Sequence, residues 1–532
     1  MDILSGFNFR RTAQQDKADP RQARNSAGGF AFTVTPEIRL RRFLVLGTEG
    51  GTYYASAREL TNDNADLVVD FARNRPLDLV REIVAISQAG RAPRQNPALF
   101  ALAAAASLGD DTGRAAALEA LPDVARTGTH LFLFAGYVEQ FRGWGRGLRR
   151  AVGNWYLTPA VDQVAYQAIK YRQRHGWTHR DLLRLAHPVT EDAERRGLFD
   201  YIVRGTVDAV PAIIEGFERA QHAGANIPAL VREYGLSWEM LPDSALGRPE
   251  TWEALLDAGM PQTALLRQLP RLTRLGLLTP MGSRTAAVAA QLTDVDRLTR
   301  ARVHPISVLL AQRAYASGRS VRGESEWSPS APIVDALDAT FYAAFETVEP
   351  SNTRHLLALD VSGSMTAPIS GMPLSAREAS TALALVTAAT EPDHHIVGFT
   401  GPQTLFARAH TRLSEVPISP RQRLDDALRT VSDLPFGRTD CALPMTWALE
   451  NRVEVDVFTV YTDNETWAGR IHPHQALQQY RREINPQAQL IVVGMTATDF
   501  TIADPTDAGM LDIAGFDSAT PSLISGFARG DI

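Results

Sequence analysis

From residue 36 to about residue 345, apolar side chains recur every three or four positions, the spacing that gathers them on one face of an α-helix. The runs are short. Helices are predicted over 36–46, 65–73, 77–88, 97–108, 113–121 and, last, 333–345, with Gly, Pro, Asn or Asp between the early ones. Thr35 and Pro36 supply an N-cap and a first helical residue, and Gly47 supplies a stop. Successive short helices without intervening strands predict an α-solenoid of HEAT type, although no strict sequence period accompanies it. After residue 351 the pattern changes. Apolar runs at 355–359, 394–399, 455–461 and 489–493 alternate with amphipathic stretches at 376–389, 421–431, 442–450 and 474–483. Strands alternating with helices predict a doubly wound parallel α/β sheet. A Ser-, Pro- and Glu-rich stretch at 324–332 marks a seam, so the predicted domains are 1–350 and 351–532. Residues 1–27 are polar and rich in Arg, Gln and Asp, and read as a loose arm.

Composition narrows the class without naming a function. A chain of 532 residues, 45% hydrophobic and 21% charged, is an ordinary multidomain globular protein. Its one cysteine, Cys441, excludes an internal disulfide framework and suits a reducing compartment. A basic-then-apolar leader and an apolar run of about 18 residues are both lacking, so the expectation is a soluble cytoplasmic protein with no membrane span. The net charge of −6 is unevenly spread. Residues 351–532 carry 13 Lys and Arg against 21 Asp and Glu, whereas 126–187 carry 10 against 3, with four histidines besides. Lys17 and Lys170 are the only lysines; every other basic residue is arginine, whose planar fork grips phosphate and stacks on bases.

The basic stretch has a pattern. If 161–174 is helical, Val161, Val164, Ala165, Ala168 and Ile169 share one face, and Lys170 and Arg174 fall on the other, a turn apart. Gly176 ends that helix, and Thr178 caps the next, with Asp181 in the capping-box position. There Arg180, Arg184 and His187 align at i, i+4 and i+7. Upstream, FRGWGRGLRR adds Arg142, Arg146 and Arg149 among glycines and aromatics. One such stripe is an ordinary solvated helix face. Three in tandem with almost no acid favour a nucleic-acid surface, because phosphates require cations and unstacked bases require flat partners.

A second constellation lies at predicted strand ends. Asp360, Ser362 and Ser364 follow the apolar run 355–359, where open α/β sheets place their ligands. Thr439 stands in a Phe-Gly-Arg-Thr-Asp turn, and Asp463 ends the run beginning at 455. Five hard oxygen donors with only two carboxylates suit a divalent cation, Mg²⁺ above all. The alternative is that Asp360 and Ser362 merely cap the next helix. The set resembles the metal-ion-dependent adhesion site (MIDAS) of von Willebrand factor A domains. Catalytic signatures are missing. The sequence holds neither a P-loop nor an H-E-x-x-H pair, Cys441 has no His nearby in sequence, and Ser/Thr ligands give too little negative charge for a two-metal nuclease. The pair His394–His395 reads as structural; His472 and His474 could bind a metal, but a helix-start pair without Cys or further His favours a structural role. No catalytic residue is expected.

Several long stretches carry a family resemblance: NSAGGFAF at 25–32, RFLVLGTEGGTYY at 42–54, FRGWGRGLRRAVGNWY at 141–156, KYRQRHGWTHRDLLRLAH at 170–187, VYTDNETWAG at 460–469 and FTIADPTDAGMLDIAGF at 500–516. They resemble the Ro 60 kDa autoantigen family, a TROVE module followed by a von Willebrand A domain; the arginine bias is that of a bacterial member. The resemblance implies a ring of HEAT-like repeats closed by the A domain. It implies a small noncoding Y RNA on the outer basic surface, with Lys170, Arg174 and His187 in contact. It also implies single-stranded 3′ ends of misfolded RNA in a central hole, a 3′-to-5′ exoribonuclease tethered through the Y RNA, and a role in RNA turnover under stress. The rival reading is an assembly module whose metal site grips an acidic protein partner without RNA.

Overall fold

The 3.6-residue pattern becomes a succession of short helices from Pro36–Leu46 to Ala331–Ala343 in the computed structural model. It describes residues 11–33, 35–46, 57–88, 95–301, 303–320, 324–369, 374–399, 413–434, 439–495, 500–514 and 520–530. The predicted stop at Gly47 and the turn residues 436–438 lie outside these. Local chemistry sets the helix limits. Asp110 and Thr127 accept hydrogen bonds from Gly113 and His130 and so cap the helices that follow them. Gly205 and Gly235 end helices in the left-handed conformation. The helix Asn96–Leu108 is alanine-rich and buried nearly all round. Its small side chains let the helices Ala57–Asn74 and Gly128–Phe141 pack on it from different sides.

Two sequence expectations fail in this half. Residues 11–27 are docked rather than loose. Strand β1 (Gln22–Arg24) pairs antiparallel with β2 (Phe30–Thr33), which pairs in turn with a two-residue strand near the other end of the chain, Phe500–Thr501. The predicted helix 161–174 stops at Lys170. Residues 173–178 instead form an antiparallel hairpin, β3 (Gln173–Arg174) and β4 (Trp177–Thr178). His175 and Gly176 both have positive φ, 54° and 80°. A two-residue turn with that twist is what tight hairpins use, so Gly176 serves the hairpin turn and does not stop the helix.

In the other half β5 (His355–Asp360), β6 (His394–Phe399), β7 (Leu413–Glu415), β8 (Val457–Thr462), β9 (Gln489–Gly494) and β11 (Met510–Ala514) form one sheet of order β11-β9-β8-β5-β6-β7; β10 is the Phe500–Thr501 strand paired with β2. The four predicted strands lie at its centre, all parallel. β11 adds a fifth parallel strand, and β7 closes the far edge antiparallel, so the sheet is mixed. Leu359 is opposite Tyr461, which sets Asp360 and Thr462 side by side at the carboxyl ends of β5 and β8.

The α/β domain contacts both ends of the helical array. At one end lie the β2–β10 pairing and a contact between the helix Pro36–Leu46 and β11. At the other, the helix Pro305–Ala316 touches the helix Ala376–Thr390. An array held at both ends by one domain is a closed circuit.

The docked segment is fastened by one buried side chain. Gln14 Nε2 donates to Asp440 Oδ1 (2.7 Å) and to the Ile471 carbonyl (3.0 Å). Its Oε1 accepts from the Thr466 hydroxyl (2.6 Å) and the Gly469 N–H (3.0 Å). Arg21 forms a fork on Asp504 at 2.8 and 2.9 Å, and Gln22 reaches His472 at 3.1 Å. Gly29 lies so close that a Cβ would sit 2.0 Å from the Thr466 carbonyl oxygen. Gln14→Ala therefore leaves buried donors and acceptors unpaired and costs on the order of 2–4 kcal/mol. Limited proteolysis should cut within residues 11–33 faster in this variant, with the remainder of the chain intact. A parent-like cleavage rate would contradict the fastening role.

Candidate nucleic-acid interface and metal centre

Parallel pairing brings the oxygen-rich loops together. Asp360 Oδ1 accepts from the Ser362 N–H and Oδ2 from the Thr462 hydroxyl, both at 2.8 Å. Ser362 is the residue before a short 3₁₀ turn, Gly363–Thr366, but its hydroxyl makes no capping bond; it lies 3.1 Å from that of Ser364. The capping alternative therefore does not account for it. Ser364 in turn lies against Asp463. The Thr439 carbonyl accepts from Trp467 N–H (3.1 Å) and Ala468 N–H (3.0 Å), which ties its loop to the one after Asp463. Thr439 and both aspartates are buried.

Burial dominates the electrostatics of this cluster. Burial, then the Asp463 charge, pushes Asp360 up to about 7, and burial also raises Asp463. Asp463 Oδ2 is buried without a hydrogen-bond partner. Among the described residues no group of three or more His, Cys, Asp or Glu is placed to hold a metal ion, and this cluster has two carboxylates. Two carboxylates, one of them with an orphaned oxygen, and the hydroxyls of Ser362, Ser364 and Thr439 fit a hard divalent ion. Beneath the loop Arg377 donates to the Val361 and Ser362 carbonyls at 3.2 Å and holds its backbone. His472 and His474 are packed against the docked segment, and Cys441 is buried with its thiol pushed upward.

The basic residues gather on neighbouring elements. The helix Arg146–Leu157 packs on the helix His179–Ala186. The first buries Leu148, Val152 and Tyr156 and leaves Arg146 and Arg149 exposed; the second buries Leu182 and Leu183 and leaves Arg180 and Arg184 exposed. The predicted Thr178–Asp181 capping box starts the second helix, and exposed His187 ends it in a left-handed turn. The Trp144 and Trp177 rings meet at 5.7 Å, joining the Arg142 turn to the hairpin whose tip carries Arg174 and His175.

Many arginines elsewhere hold carboxylates, as Arg21, Arg75, Arg284, Arg354 and Arg481 do. Among the described residues, Arg142, Arg146, Arg149, Arg174, Arg180 and Arg184 hold none. Lys170 differs from its neighbours. It is largely buried, 3.5 Å from Glu239, and its ammonium donates to the Tyr166 hydroxyl at 3.0 Å. The sequence missed Arg172 and His175 as members of this surface. The signal was there, a His-Gly pair flanked by residues able to form two short strands.

The sequence matches the TROVE domain over residues 23–223 and 232–316, and the Ro60 vWA domain over residues 354–528. It is 43% identical to the RNA-binding protein RO60 of Deinococcus radiodurans, over the full length of both chains. It is 36% identical to the RNA-binding protein RO60 of Caenorhabditis elegans, over all of this chain and 94% of that one. The crystal structure of the Deinococcus radiodurans RO (RSR) protein superposes with a TM-score of 0.76, covering 94% of this chain and all of that one. Helical array, mixed α/β sheet and full-length similarity agree: the chain belongs to the Ro60 family, a TROVE module followed by a Ro60-type von Willebrand A domain.

Proposed function

We propose that this chain is a non-catalytic RNA-binding scaffold for RNA quality control and turnover. It holds a small noncoding Y RNA on the basic face and passes single-stranded 3′ ends of misfolded RNA into the opening of the closed helical array. A 3′-to-5′ exoribonuclease joins through the bound RNA. The observation that carries the reading is the set of six exposed arginines without carboxylate partners on adjoining elements, within a stretch, 126–187, where among the described residues no arginine meets a carboxylate. Uncompensated guanidinium groups beside partly exposed aromatics suit a phosphate backbone better than a protein surface. A divalent cation, Mg²⁺ by the donor set, occupies the Asp360 site and steadies the strand-end loops.

Reversing Arg174 and Arg180 to Glu tests the face. Both side chains are exposed, so the variant keeps the parent's thermal midpoint. Its affinity for a structured small RNA falls, and the slope of log K against log salt drops by ~0.7–0.9 for each phosphate that no longer meets a cation. Parent-like affinity and slope would return these residues to solvated surface. Lys170→Glu behaves differently: it loosens the Glu239 and Tyr166 contacts and lowers stability as well as binding.

The opening is tested with two RNAs. A duplex bearing a 3′ single-stranded tail should bind more tightly than the same duplex with blunt ends. Equal affinity removes the opening from the mechanism and leaves a surface site alone.

For the metal, the sign follows from the raised carboxylates. Asp360 and Asp463 hold protons more tightly in the metal-free folded chain than in the unfolded one. Their contribution to stability is therefore present at low pH and is lost as pH rises from about 4 through about 7. A cation neutralises the same charges. Added Mg²⁺ should thus raise the melting temperature more at pH 8 than at pH 5, and Asp360→Ala should abolish the increment while keeping the parent's circular dichroism. A variant that still responds to Mg²⁺ refutes the ligand set.

A further inference from the structure

The buried amide of Gln14 does more than fasten its own segment. Its Nε2 donates to Asp440 Oδ1 at 2.7 Å, and Asp440 follows the candidate ligand Thr439 in the chain. Its Oε1 accepts from the Thr466 hydroxyl at 2.6 Å and the Gly469 N–H at 3.0 Å, both in the loop that begins at Asp463. One side chain from the other half of the protein therefore spans the two loops that bring Thr439 and Asp463 to the oxygen cluster. The loops also meet directly, as the Cys441 N–H donates to the Thr466 hydroxyl at 3.1 Å. The fit is close: a Cβ on Gly469 would sit 2.2 Å from Gln14 Nε2 and 2.3 Å from Asp440 Oδ1.

The same segment reaches the Asp463 carboxylate by a second route. The Ala27 N–H donates to Glu465 Oε2 at 2.9 Å, and the Glu465 N–H donates in turn to Asp463 Oδ1 at 3.1 Å. That leaves Oδ2 as the oxygen without a hydrogen-bond partner. If residues 11–33 leave, Asp440, Glu465, Thr466 and the Gly469 N–H each lose a partner in a buried setting. Groups stripped of partners there rearrange to find water or one another. The strand-end oxygens have the opposite requirement, since Mg²⁺ accepts only a narrow coordination geometry. A backbone free to rearrange at 440 and 466 does not hold Thr439 and Asp463 in place.

We propose that the docked segment 11–33 positions the cation centre, with Gln14 as the positioning residue, so that cation binding and closure of the helical array at this end strengthen each other. The segment supplies no ligand of its own and acts through Asp440, Glu465 and Thr466. This rests on the cation site proposed above and adds its regulation: removal of the ion loosens the dock, and opening of the dock weakens the site. The coupling is reciprocal by thermodynamic necessity. Whatever factor docking contributes to Mg²⁺ affinity, Mg²⁺ contributes to docking.

The test uses the full-length protein and Mg²⁺ alone. In a calorimetric titration Gln14→Ala should bind Mg²⁺ about five- to 150-fold more weakly than the parent, the usual range of coupling between two sites. In the parent, Mg²⁺ should slow proteolytic cleavage within residues 11–33 by about fivefold or more. In Asp360→Ala it should leave that rate unchanged. A Gln14 that only fastens the segment would speed cleavage when replaced yet leave the Mg²⁺ titration as in the parent; that result overturns the coupling and spares the cation site. Cleavage of the parent at one rate with and without bound Mg²⁺ overturns it equally. If Gln14→Ala fails to fold by circular dichroism, the protection of the parent by Mg²⁺ decides alone. If the parent shows no Mg²⁺ binding that Asp360→Ala abolishes, the coupling and the cation site both fall.

Discussion

A stack of short helices has two ends, and each end exposes an apolar face that must be covered. Here one α/β domain covers both. At the later end the cover is continuous chain, as the helix Ala331–Ala343 leads directly toward β5. At the earlier end it is a non-covalent dock spanning more than 400 residues of sequence, and it depends on polar groups withdrawn from water. Gln14 satisfies two acceptors and two donors at once, the full capacity of an amide used in pairs. Beside it Asp440 is buried and pushed up to about 6, chiefly by loss of water. A polar network of this kind costs little when complete and much when broken, so it selects one docking geometry.

The surface follows a different logic. At many places on the protein arginine is neutralised locally, by carboxylates a helical turn away or across a seam. The stretch 126–187 breaks that habit. Its few acids are occupied elsewhere or lie apart, as Asp181 does in holding the Thr178 cap. The cations are also supported on apolar faces that fix where they point, and the Trp144–Trp177 contact ties the turn to the hairpin. Lys170 shows the contrast, for a partner and two aromatic rings hold it in place. It acts as the inner edge of the basic surface, with the arginines as its exposed part.

Much of this was legible from residue order. The central strands, the strand-end aspartates, the Thr178 capping box and the exposed Arg180, Arg184 and His187 follow from periodicity and spacing, because each is a local matter. What stayed hidden is non-local. Residues 11–27 are polar for the reason a loose arm would be, yet their partners at 440, 466 and 504 lie too far along the chain for any window to find. The hairpin at 173–178 was absorbed into a helix because Lys170 and Arg174 fit a helical spacing; the positive φ of His175 and Gly176 decided otherwise. Strands β10 and β11 were passed over because each is short and set among Gly, Asp and Pro, and pairing partners rather than intrinsic preference make them strands.

The two polar centres of the α/β domain share one loop. Asp463 begins it, and Glu465, Thr466 and Gly469 end it against the docked segment. Glu465 accepts from the Ala27 N–H, and the Asn25 amide donates to the Thr466 carbonyl. Thr439 binds the same loop from the other side through Trp467 and Ala468. The residues that would grip a cation and the residues that close the helical array are therefore separated by single peptide units, without an intervening hinge. Asn464, in the left-handed region at φ 66°, reaches Ile502 beside β10 and fixes the loop's third side. A loop so constrained cannot shift at Asp463 and stay still at Thr466. The geometry of the oxygen cluster and the closure of the array are consequently set together, by the same short stretch of backbone.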